Sequence, residues 1–527
     1  MNKLPCSIFN DVIGPVMRGP SSSHVAGAAR IADLIRQSMK DKIVKAVVDF
    51  DINGSLATSH DGHGSDMGFT CGLLGIDLSY SHVDQYERLA LENDLEIEYR
   101  ILDYGAVHPG NYRMQITDAS GNVRNWEAIS TGGGMIEMQK LEEFHVNICG
   151  DFYELIIICD TSSRDIADYE KKITAITGTA EFVLNSTIDT KTLLNLKFAK
   201  SLSEELQLSI TEITGICDMI YLEPILPTHS SASCQVPYST AAELLAYASE
   251  HPMEPWKYAA YYEACRGNTS IENVYHQMDD ILSIMENAVD TGLAGTKYKD
   301  RILGAQSHKI DSAAKSGKLI PCEPLNSIIK SISAIMESKS SMGLIVAAPT
   351  CGSCGCLPGT VIGLGRYMNF TRDTMIKGLF AAGLVGVFFA ESATFSAEVG
   401  GCQVECGAGS GMAAAALTQM MGGTIEQCMD SASVALQNIT GLACDPVGNR
   451  VEVPCLGKNI MGGSNALSSA NMVLAGYDKV IPLDETIEAI YKIGLSLPLE
   501  LRCTFGGLGV TKTALEILKK TEKHFEE

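Results

Sequence analysis

The chain has 527 residues, of which 46% are hydrophobic and 20% charged, and it carries a formal net charge of −23. This length exceeds what one hydrophobic core supports, so we expect about two to four domains. The composition excludes intrinsic disorder, and the acidic balance argues against nucleic acid or an anionic membrane surface as a partner. The expected partner is therefore a small molecule.

The N-terminal sequence and the cysteine content indicate a cellular compartment. The first residues, MNKLPCSIFNDVIG, contain no apolar stretch of signal-peptide length, and the longest weakly polar run, Gly378–Ala390, is too short to span a bilayer. We therefore expect a cytoplasmic protein. In that compartment its 17 cysteines serve packing, metal binding or thiol chemistry rather than structural disulfides.

The first half of the chain predicts an α+β structure. Apolar runs at Ile43–Val48 and Leu95–Leu102 alternate with turn residues and helical patterns. Residues 150–226 then predict the order βαββαβ, which is the ferredoxin-like arrangement that ACT-type regulatory modules use to sense amino acids. This ACT-like module either binds an amino-acid effector or serves only packing or oligomerisation. Its predicted elements are Glu154–Asp160, Ile166–Gly178, Ala180–Asn185, Thr192–Ala199, Ser203–Ile213 and Met219–Leu222.

The second half predicts an all-α domain. Residues 227–240, PTHSSASCQVPYST, are typical of a linker, and strand signals nearly vanish after them. Many of the helices that follow are rich in Gly or Ala, so that they can approach one another closely. The predicted domains are thus 1–149, the module 150–226, the linker 227–240 and the helical domain 241–527. The predicted helices are Ala241–Glu250, Ile271–Thr291, Pro324–Glu337, Thr371–Phe389, Met412–Met421, Thr424–Gln437 and Glu485–Ile493.

Three cysteines of the second half are candidate metal ligands. Cys402 lies in AEVGGCQVECG, whereas Cys444 and Cys455 lie in LACDPVGNRVEVPC. Their spacing matches neither a zinc ribbon nor a ferredoxin, so a metal site and inert cysteines in a small-residue core both stay open. Cys351 and Cys354 form a CxxC pattern, for which pocket lining, a redox dithiol and a second metal site are alternatives.

Hydroxyl groups and histidines cluster in the first half. The sequence GPSSSH stands directly before a helical pattern, where hydroxyls and backbone N–H groups can hold a carboxylate or merely cap the helix. His63 lies between glycines with Asp66 close by, and it is either a proton-transfer group or a structural hydrogen-bonding residue. His24 and His60 are the alternative bases. Ser130 and Thr131 precede three glycines that let a backbone approach a ligand closely, or simply form a turn.

These motifs follow one another in an order that resembles a known family. The segment AEVGGCQVEC…GSGMAAAAL…GLACDPVGNRVEVPCLGKNIMG resembles the α-domain of the iron–sulfur-dependent L-serine dehydratases. The resemblance covers almost the whole chain. The other motifs that carry it are Gly19–Ala32, Gly54–Gly68, His108–Met114 and Ser130–Glu137, which resemble the β-domain, and Ala348–Gly359 and Leu501–Ala514 in the second half.

The resemblance implies a site and a reaction. Cys402, Cys444 and Cys455 would hold a [4Fe–4S] cluster whose fourth iron, open to substrate, acts as a Lewis acid on the carboxylate and β-hydroxyl of serine. A base, His63 or His24 with Asp66 nearby, would remove the Cα proton, so that serine yields pyruvate and ammonia through aminoacrylate. The implied substrate-binding residues are Ser21, Ser22, Ser23, Ser130, Thr131, Gly132, Gly133, Thr350 and Gly352.

Three positions depart from the family pattern. Asn is usual where Cys351 stands, Glu is common at Cys503, and His is common at Asn438. These changes replace polar groups near the expected pocket, so elimination from cysteine or threonine is an alternative reaction. An inactive amino-acid sensor and a pyridoxal-phosphate lyase are alternatives from other classes, although no Schiff-base lysine context is recognisable. Residues of separate domains must converge on one site, either within one chain or across a dimer, and a homodimer is expected.

Overall fold

The computed structural model describes residues 4–162 and 164–522, so the outermost residues of the first and last predicted domains lie outside the described part. The fold combines a sheet-rich N-terminal region with a helical C-terminal region. Its strands are β1 Val16–Met17, β2 Ile43–Asp51, β3 Glu96–Leu102, β4 Asn111–Asp118, β5 Val123–Gly132, β6 Met135–Leu141, β7 Phe144–Ile148, β8 Tyr153–Asp160, β9 Phe182–Ile188, β10 Lys191–Phe198, β11 Ile216–Leu222 and β12 Ile345–Val346.

The helices of the first half alternate with strands, and those of the second half follow one another almost without interruption. They are α1 Gly27–Ser38, α2 Leu56–Ser59, α3 Ser65–Leu74, α4 Tyr86–Glu92, α5 Ile166–Thr177, α6 Glu204–Thr211, α7 Ala241–Glu250, α8 Pro255–Arg266, α9 Ile271–Ala294, α10 His308–Lys315, α11 Glu323–Lys339, α12 Cys356–Met368, α13 Arg372–Ser392, α14 Ala397–Gly400, α15 Cys406–Met420, α16 Ile425–Ile439, α17 Cys455–Leu474, α18 Leu483–Ser496 and α19 Lys512–Glu522.

Two sheets form the first half. A six-stranded sheet has the order β3-β2-β4-β5-β6-β7, in which only β2 and β3 are parallel. A four-stranded antiparallel sheet has the order β11-β8-β10-β9, and α5 and α6 connect its strands in the sequence βαββαβ. Strand alternation places Ile156 and Leu193 toward the core of the larger sheet and Leu155 and Leu194 toward α5 and α6. The smaller sheet is therefore buried on both faces.

The helical half is not purely α-helical. Its two-residue strand β12 pairs with β1 from the start of the chain, so the all-α prediction is wrong in this detail. The N-terminal segment also joins the helical core, since Ile8 and Val12 pack where Gly383 and Gly386 of α13 have no side chain. This contact brings the first motif, Gly19–Ala32, next to the loop that follows β12.

Helix α13 forms the centre of the helical core. It is longer than the apolar run noted in the sequence, and by length and composition it could cross a membrane. However, 78% of its apolar window is buried inside the protein. That burial is the environment of a central core helix, which packs apolar side chains on all sides.

Candidate functional site

Three helices begin at cysteines, and their first turns lie next to one another. Helices α12, α15 and α17 start at Cys356, Cys406 and Cys455. The fully buried Asn459 joins them: its Oδ1 accepts the N–H of Cys356 at 2.9 Å, and its Nδ2 donates to the carbonyl of Gly352 at 2.9 Å and to Sγ of Cys406 at 3.6 Å. One amide of α17 therefore fixes the loop before α12 against the start of α15.

The three predicted metal ligands lie near one another. Cys402 and Cys444 form a buried cluster with Cys406, and the half-buried Cys503 packs against it. Burial raises the pKa of the Cys455 thiol, and negative charge on Cys444 and Cys402 raises it further. Among the described residues, no three His, Cys, Asp or Glu side chains are close enough to share a single metal ion. The thiols thus surround a common region without converging on one point.

A lysine provides positive charge beside the thiols. Nζ of Lys458 donates to Oδ1 of Asp445 at 2.7 Å and to the carbonyl of Ala443 at 2.6 Å. Burial alone lowers the pKa of Lys458, but the charges of Cys402 and Asp445 outweigh it and raise that pKa. A hydrogen bond with Cys406 and the charge of Lys458 together lower the pKa of the Cys402 thiol despite its burial.

The C-terminal motif closes the thiol cluster on one side. The backbone N–H of Cys503 donates to the carbonyl of Cys444 at 2.9 Å, and the N–H of Cys444 donates to the carbonyl of Leu501 at 2.8 Å. Oδ2 of Asp445 accepts the N–H of Leu508 at 3.0 Å. These bonds hold a segment distant in sequence directly against the loop that carries Cys444.

The loop that follows β12 connects the thiols with the serine-rich motif. Oγ1 of Thr350 donates to Oε1 of Glu405 at 2.8 Å. The N–H of Cys351 donates to Oγ of Ser22 at 3.1 Å, and its thiol donates to the carbonyl of Gly19 at 2.8 Å. Consequently Thr350 faces the thiol side, whereas Cys351 is occupied with the first motif.

Glu405 lies between these two sides. Burial raises the pKa of its carboxyl well above the ordinary value, and the negative charges of Cys402 and Glu398 add to the effect. Sequence reasoning missed this residue. A carboxylate inside the otherwise small and apolar run from Gly400 to Leu417 was the available signal, because charge in such a run needs a reason.

His24 has both ring nitrogens hydrogen-bonded. Residues Ser22–Ala26 form a single π-helical turn that continues into α1, a departure frequent at functional sites. Nδ1 of His24 lies 2.9 Å from Oγ of Ser21, and Nε2 lies 2.8 Å from Oγ of Ser59. Because Ser59 donates its hydroxyl proton to the carbonyl of Ser55, it accepts from Nε2 of His24. The imidazole is thus a neutral tautomer whose Nδ1 accepts from Ser21.

His63 differs from His24 in its partners. The two rings meet edge to face, with centroids 4.8 Å apart. Nε2 of His63 is buried and has no hydrogen-bond partner among the described residues. Burial lowers the pKa of His63 well below the ordinary value, and the positive charges of Arg450 and Lys339 lower it further. Asp66, expected beside His63, instead bonds Nδ1 of His60 at 2.7 Å.

The glycine run predicted to approach a ligand lies against other parts of the site. Oγ of Ser130 donates to the carbonyl of Ser23 at 2.8 Å. Gly132 and Gly133 have positive φ angles, and a Cβ on Gly132 would come within 2.8 Å of the backbone of Ser396. Only glycine fits at that approach. Thr131 is half-buried and follows Ser130 directly at the end of β5.

A small cavity contains predicted and unpredicted residues together. It is about 10 Å³ in volume, and Ser23, His24 and Ser130 line it with Ser396 and Glu398. His108 and Ser55 complete its polar wall. Glu398 and Ser396, which bond each other at 2.7 Å, were not singled out from the sequence.

The segment from Thr58 to His63, which carries His60 and His63, contacts the loop between Cys444 and Cys455. Nδ2 of Asn449 donates to the carbonyl of Thr58 at 3.0 Å. A Cβ on Gly62 would meet the side chains of Asn449 and Arg450 within 2.8 Å, so the two loops approach at a glycine. This contact places His63 between the first half of the chain and the cysteine loop.

Two of the three departures from the family pattern lie in the site. Cys351 is buried in the loop of Thr350, and Cys503 lies against Cys444. Asn438 instead is exposed on α16 and bonds Asn465 of α17 at 2.9 Å, so the expectation that it lies near the pocket is wrong. No disulfide links the described cysteines, including the CxxC pair.

Both halves of the chain therefore contribute polar and sulfur groups to one buried site, an arrangement typical of an enzyme. A family model described as "Serine dehydratase alpha chain" matches residues 192–508, and "Serine dehydratase beta chain" matches residues 10–101. The chain belongs to the serine dehydratase family and is a lyase.

Individual relatives match either the helical half or nearly the whole chain. A "Probable L-serine dehydratase, alpha chain" of Bacillus subtilis is 44% identical over 250 residues, which are 47% of this chain and 83% of the relative. "L-serine dehydratase 1" of Escherichia coli is 24% identical over 508 residues, 93% of this chain and 96% of the relative. An "L-serine dehydratase" of Helicobacter pylori is 25% identical over 502 residues, 94% and 96% of the two chains.

Proposed function

We propose that this chain is an iron–sulfur-dependent L-serine ammonia-lyase, which eliminates water from L-serine to give pyruvate and ammonia. The observation that carries the proposal is that three separate cysteines surround one buried region, while the loop of His63 contacts the segment between Cys444 and Cys455. Nε2 of His63 has no hydrogen-bond partner among the described residues. The full-length similarity to enzymes named L-serine dehydratase supports serine as the substrate.

The donor set fits a [4Fe–4S] cluster. Cys402, Cys444 and Cys455 are buried, and negative charge on Cys444 and Cys402 raises the pKa of Cys455, so the three thiols lie in one region. In a cubane each thiolate holds its own iron, which suits thiols arranged around a common region. When bound, the cluster supplies an iron without a protein ligand, which acts as a Lewis acid toward the substrate.

The residues of the first half would hold the substrate. Ser21 bonds His24, and Ser23 and Ser130 line a small cavity with His24. Ser22 and Thr131 directly follow Ser21 and Ser130 in the chain. Backbone at Gly132, Gly133 and Gly352 and the hydroxyl of Thr350 would complete the binding site on the side of the thiols. Serine is small and polar, and such a wall of hydroxyl and peptide groups can satisfy its carboxylate and ammonium.

His63 is the base in this proposal. A base at the Cα proton must be neutral and must have an unoccupied ring nitrogen. Burial holds the pKa of His63 low, so the ring is neutral near pH 7, and its Nε2 has no partner among the described residues. His24 has both nitrogens engaged and would orient the serine-rich motif. Asp66 would contribute by orienting the ring of His60, to which it is hydrogen-bonded.

The remaining assignments are proposals of the same kind. Residues 1–149, 150–226 and 241–527 would be a β-like domain, an ACT-like module and a cluster-binding domain, joined by the linker 227–240. The strand order of the smaller sheet supports the module. A cytoplasmic location is supported by 17 cysteines without a disulfide between described residues. The proposal also includes assembly as a homodimer and binding of an amino-acid effector at the ACT-like module.

Anaerobic purification tests the cofactor and the reaction together. We expect about four irons and four sulfides per chain and release of pyruvate from L-serine, with L-threonine and L-cysteine as comparison substrates. Cys402→Ser, Cys444→Ser and Cys455→Ser should each lose the visible absorption of the cluster. Cys428→Ala is the matched control, because Cys428 is equally buried but lies in α16 away from these thiols. An iron-free preparation with full activity contradicts the proposal.

A further inference from the structure

A cavity of about 550 Å³ lies where four parts of the chain meet, away from the thiols. We call it the junction cavity. Its walls come from α1 with the N-terminal segment, from the end of α3 and the residues after it as far as Leu78, from the chain just after β11, and from α9 at Ile281 and Ile284. The volume lies within the range of about 300–1,000 Å³ typical of small-molecule sites.

The inner wall carries one guanidinium group that is only partly engaged. Nη1 of Arg30 donates to the carbonyl of Gly134 at 2.6 Å and contacts Sδ of Met135 at 3.6 Å. No other hydrogen bond and no ion pair of Arg30 is found among the described residues. Burial lowers its pKa to about 10 despite the charge of Asp11, so the group is still cationic near pH 7. Arg30 therefore has N–H donors left for an anion.

The other charged side chains of the junction cavity either pair with each other or face solvent. Arg36 bonds Asp33 through both Nε and Nη2, at 3.0 and 2.5 Å, so this pair is internally compensated. Asp77 and Asp280 are exposed in the wall and have no ion pair within the described part of the chain. The rest of the wall is largely apolar, with Ile281 and Ile284 on one side. The cavity thus offers one cation inside, carboxylates toward solvent and aliphatic surface between them.

The wall also connects directly with two loops of the candidate active site. Through Gly134, Arg30 holds the end of the glycine run that begins at Gly132. Gly14 donates to the carbonyl of Ala347 at 2.9 Å, and Ala347 donates to the carbonyl of Pro15 at 3.0 Å. Ala347 leads into the loop of Thr350. A ligand in the cavity would therefore touch backbone that positions both substrate-side loops.

We propose that the junction cavity is a regulatory site for an apolar α-amino acid, whose carboxylate is bound by Arg30 and whose side chain packs on the aliphatic wall. Its ammonium group lies toward Asp77 and Asp280. The regulatory effect rests on the proposed serine ammonia-lyase activity, whereas binding to the cavity does not. The ligand acts by shifting the Gly132–Gly134 loop and the loop of Thr350 together, because Arg30 and the β1–β12 pairing join them.

Equilibrium dialysis of the full-length protein with labelled L-leucine tests binding without any need for turnover. Leucine has no β-leaving group, and two analogues, 4-methylpentanoate and 3-methylbutylamine, each lack one of its charges. We expect leucine to bind, and the amine without a carboxylate to bind at least about tenfold more weakly. Arg30→Met should weaken leucine binding at least about tenfold, whereas 3-methylbutylamine should be little affected.

Filling the cavity separates this site from the catalytic one. Ile284→Trp places a large ring into the junction cavity and should abolish leucine binding. Ile271→Trp is the matched control, because Ile271 is exposed on the same helix and does not line the cavity. Leucine should also shift the dependence of pyruvate release on serine concentration in the wild type and in Ile271→Trp, but not in Ile284→Trp.

Each other result overturns the inference. Absence of leucine binding, or binding that Ile284→Trp leaves intact, excludes the cavity as the site, and the second result indicates binding at the catalytic site. Leucine binding at the cavity without any change in serine turnover excludes the regulatory role. If no serine turnover is found at all while binding depends on Ile284, the proposed function fails and the binding site stands.

Discussion

The ring of His63 lies edge to face against that of His24, with centroids 4.8 Å apart, yet the two histidines differ in their partners. His24 bonds Ser21 and Ser59, whereas Nε2 of His63 is buried without a partner in the described chain. Hydrogen bonds therefore hold His24 in place, whereas Nε2 of the adjacent His63 is free of such bonds in the described chain and can accept a proton.

Replacing the two histidines should give different kinetic results. His63→Gln removes the base and should lower kcat by about 10²–10⁴-fold with the cluster intact. His24→Gln keeps a side chain that can bond Ser21 and Ser59, so its main effect should be on KM. Steady-state kinetics with an iron count on each variant make the comparison, and His276→Gln, at an exposed position on α9, serves as the control. Near-normal kcat in His63→Gln would assign the base elsewhere.

The acid limb of the pH–rate profile should lie below the ordinary histidine range. The base must be deprotonated, and burial lowers the pKa of His63 from its ordinary value near 6.5. Activity should therefore persist as the pH falls through 6.5 and decline only at lower pH. A profile of kcat/KM against pH, recorded with stability controls, measures this limb. A half-maximal rate at or above pH 7 is inconsistent with His63 as the base.

The same shift predicts a loss of stability in acid. The pKa of His63 is lower in the folded than in the unfolded chain, so the unfolded state takes up the proton first as the pH falls. The stability linked to His63 is fully present above about pH 6.5 and is lost below it. Denaturant unfolding at pH 7.5 and 5.5 should show a smaller decrease in His63→Gln than in the wild type. Equal decreases would show that His63 is not the group responsible.

Asn459 should be required for the site to assemble. Asn459→Leu leaves the N–H of Cys356 and the carbonyl of Gly352 buried without their partner, at about 1–3 kcal/mol for each group. We expect lower stability and loss of bound iron. Asn471→Leu is the matched control on the same helix, because Asn471 is exposed and should change stability by only about 0.5 kcal/mol. Denaturant unfolding and iron analysis measure both variants, and unchanged iron content in Asn459→Leu would remove this role.

The smaller sheet depends on a buried ion pair. Nζ of Lys197 donates to Oε1 of Glu154 at 2.7 Å and to the carbonyl of Asn147 at 2.6 Å. Lys197→Met leaves the buried Glu154 carboxylate with its hydrogen bond from Asn195 but without a cation, and should destabilise the protein by about 3–5 kcal/mol. The double variant Lys197→Met/Glu154→Gln should recover much of this loss. A double variant no more stable than the single one would show that uncompensated charge is not the cause.

The sequence predicted the helices whose apolar positions repeat at helical spacing. Helix α7 has the predicted bounds, and each predicted helix of the second half is present, although α15 begins at Cys406 rather than at Met412. Helices α8, α10, α14 and α19 were missed, and so were the glycine-containing helices α12 and α17. Both start at cysteines and contain several glycines, which lower helix propensity, and α12 is in addition buried over all but its last residues. A helix without a polar face has no periodicity to detect.

By itself the sequence determined the family, the mixed α and β character of the first half and the predominance of helices in the second, because these depend on local patterns and on motifs of linear sequence. Only the tertiary structure decided how the site residues pair. Asp66 bonds His60 and not His63, Glu405 lies between Thr350 and the thiols, and Asn459 joins three helix starts. These contacts join residues 6, 55 and 103 positions apart, so packing within each half, and not the local sequence, fixes which groups meet. The pairing of β1 with β12 and the N-terminal segment on α13 then hold the two halves against each other.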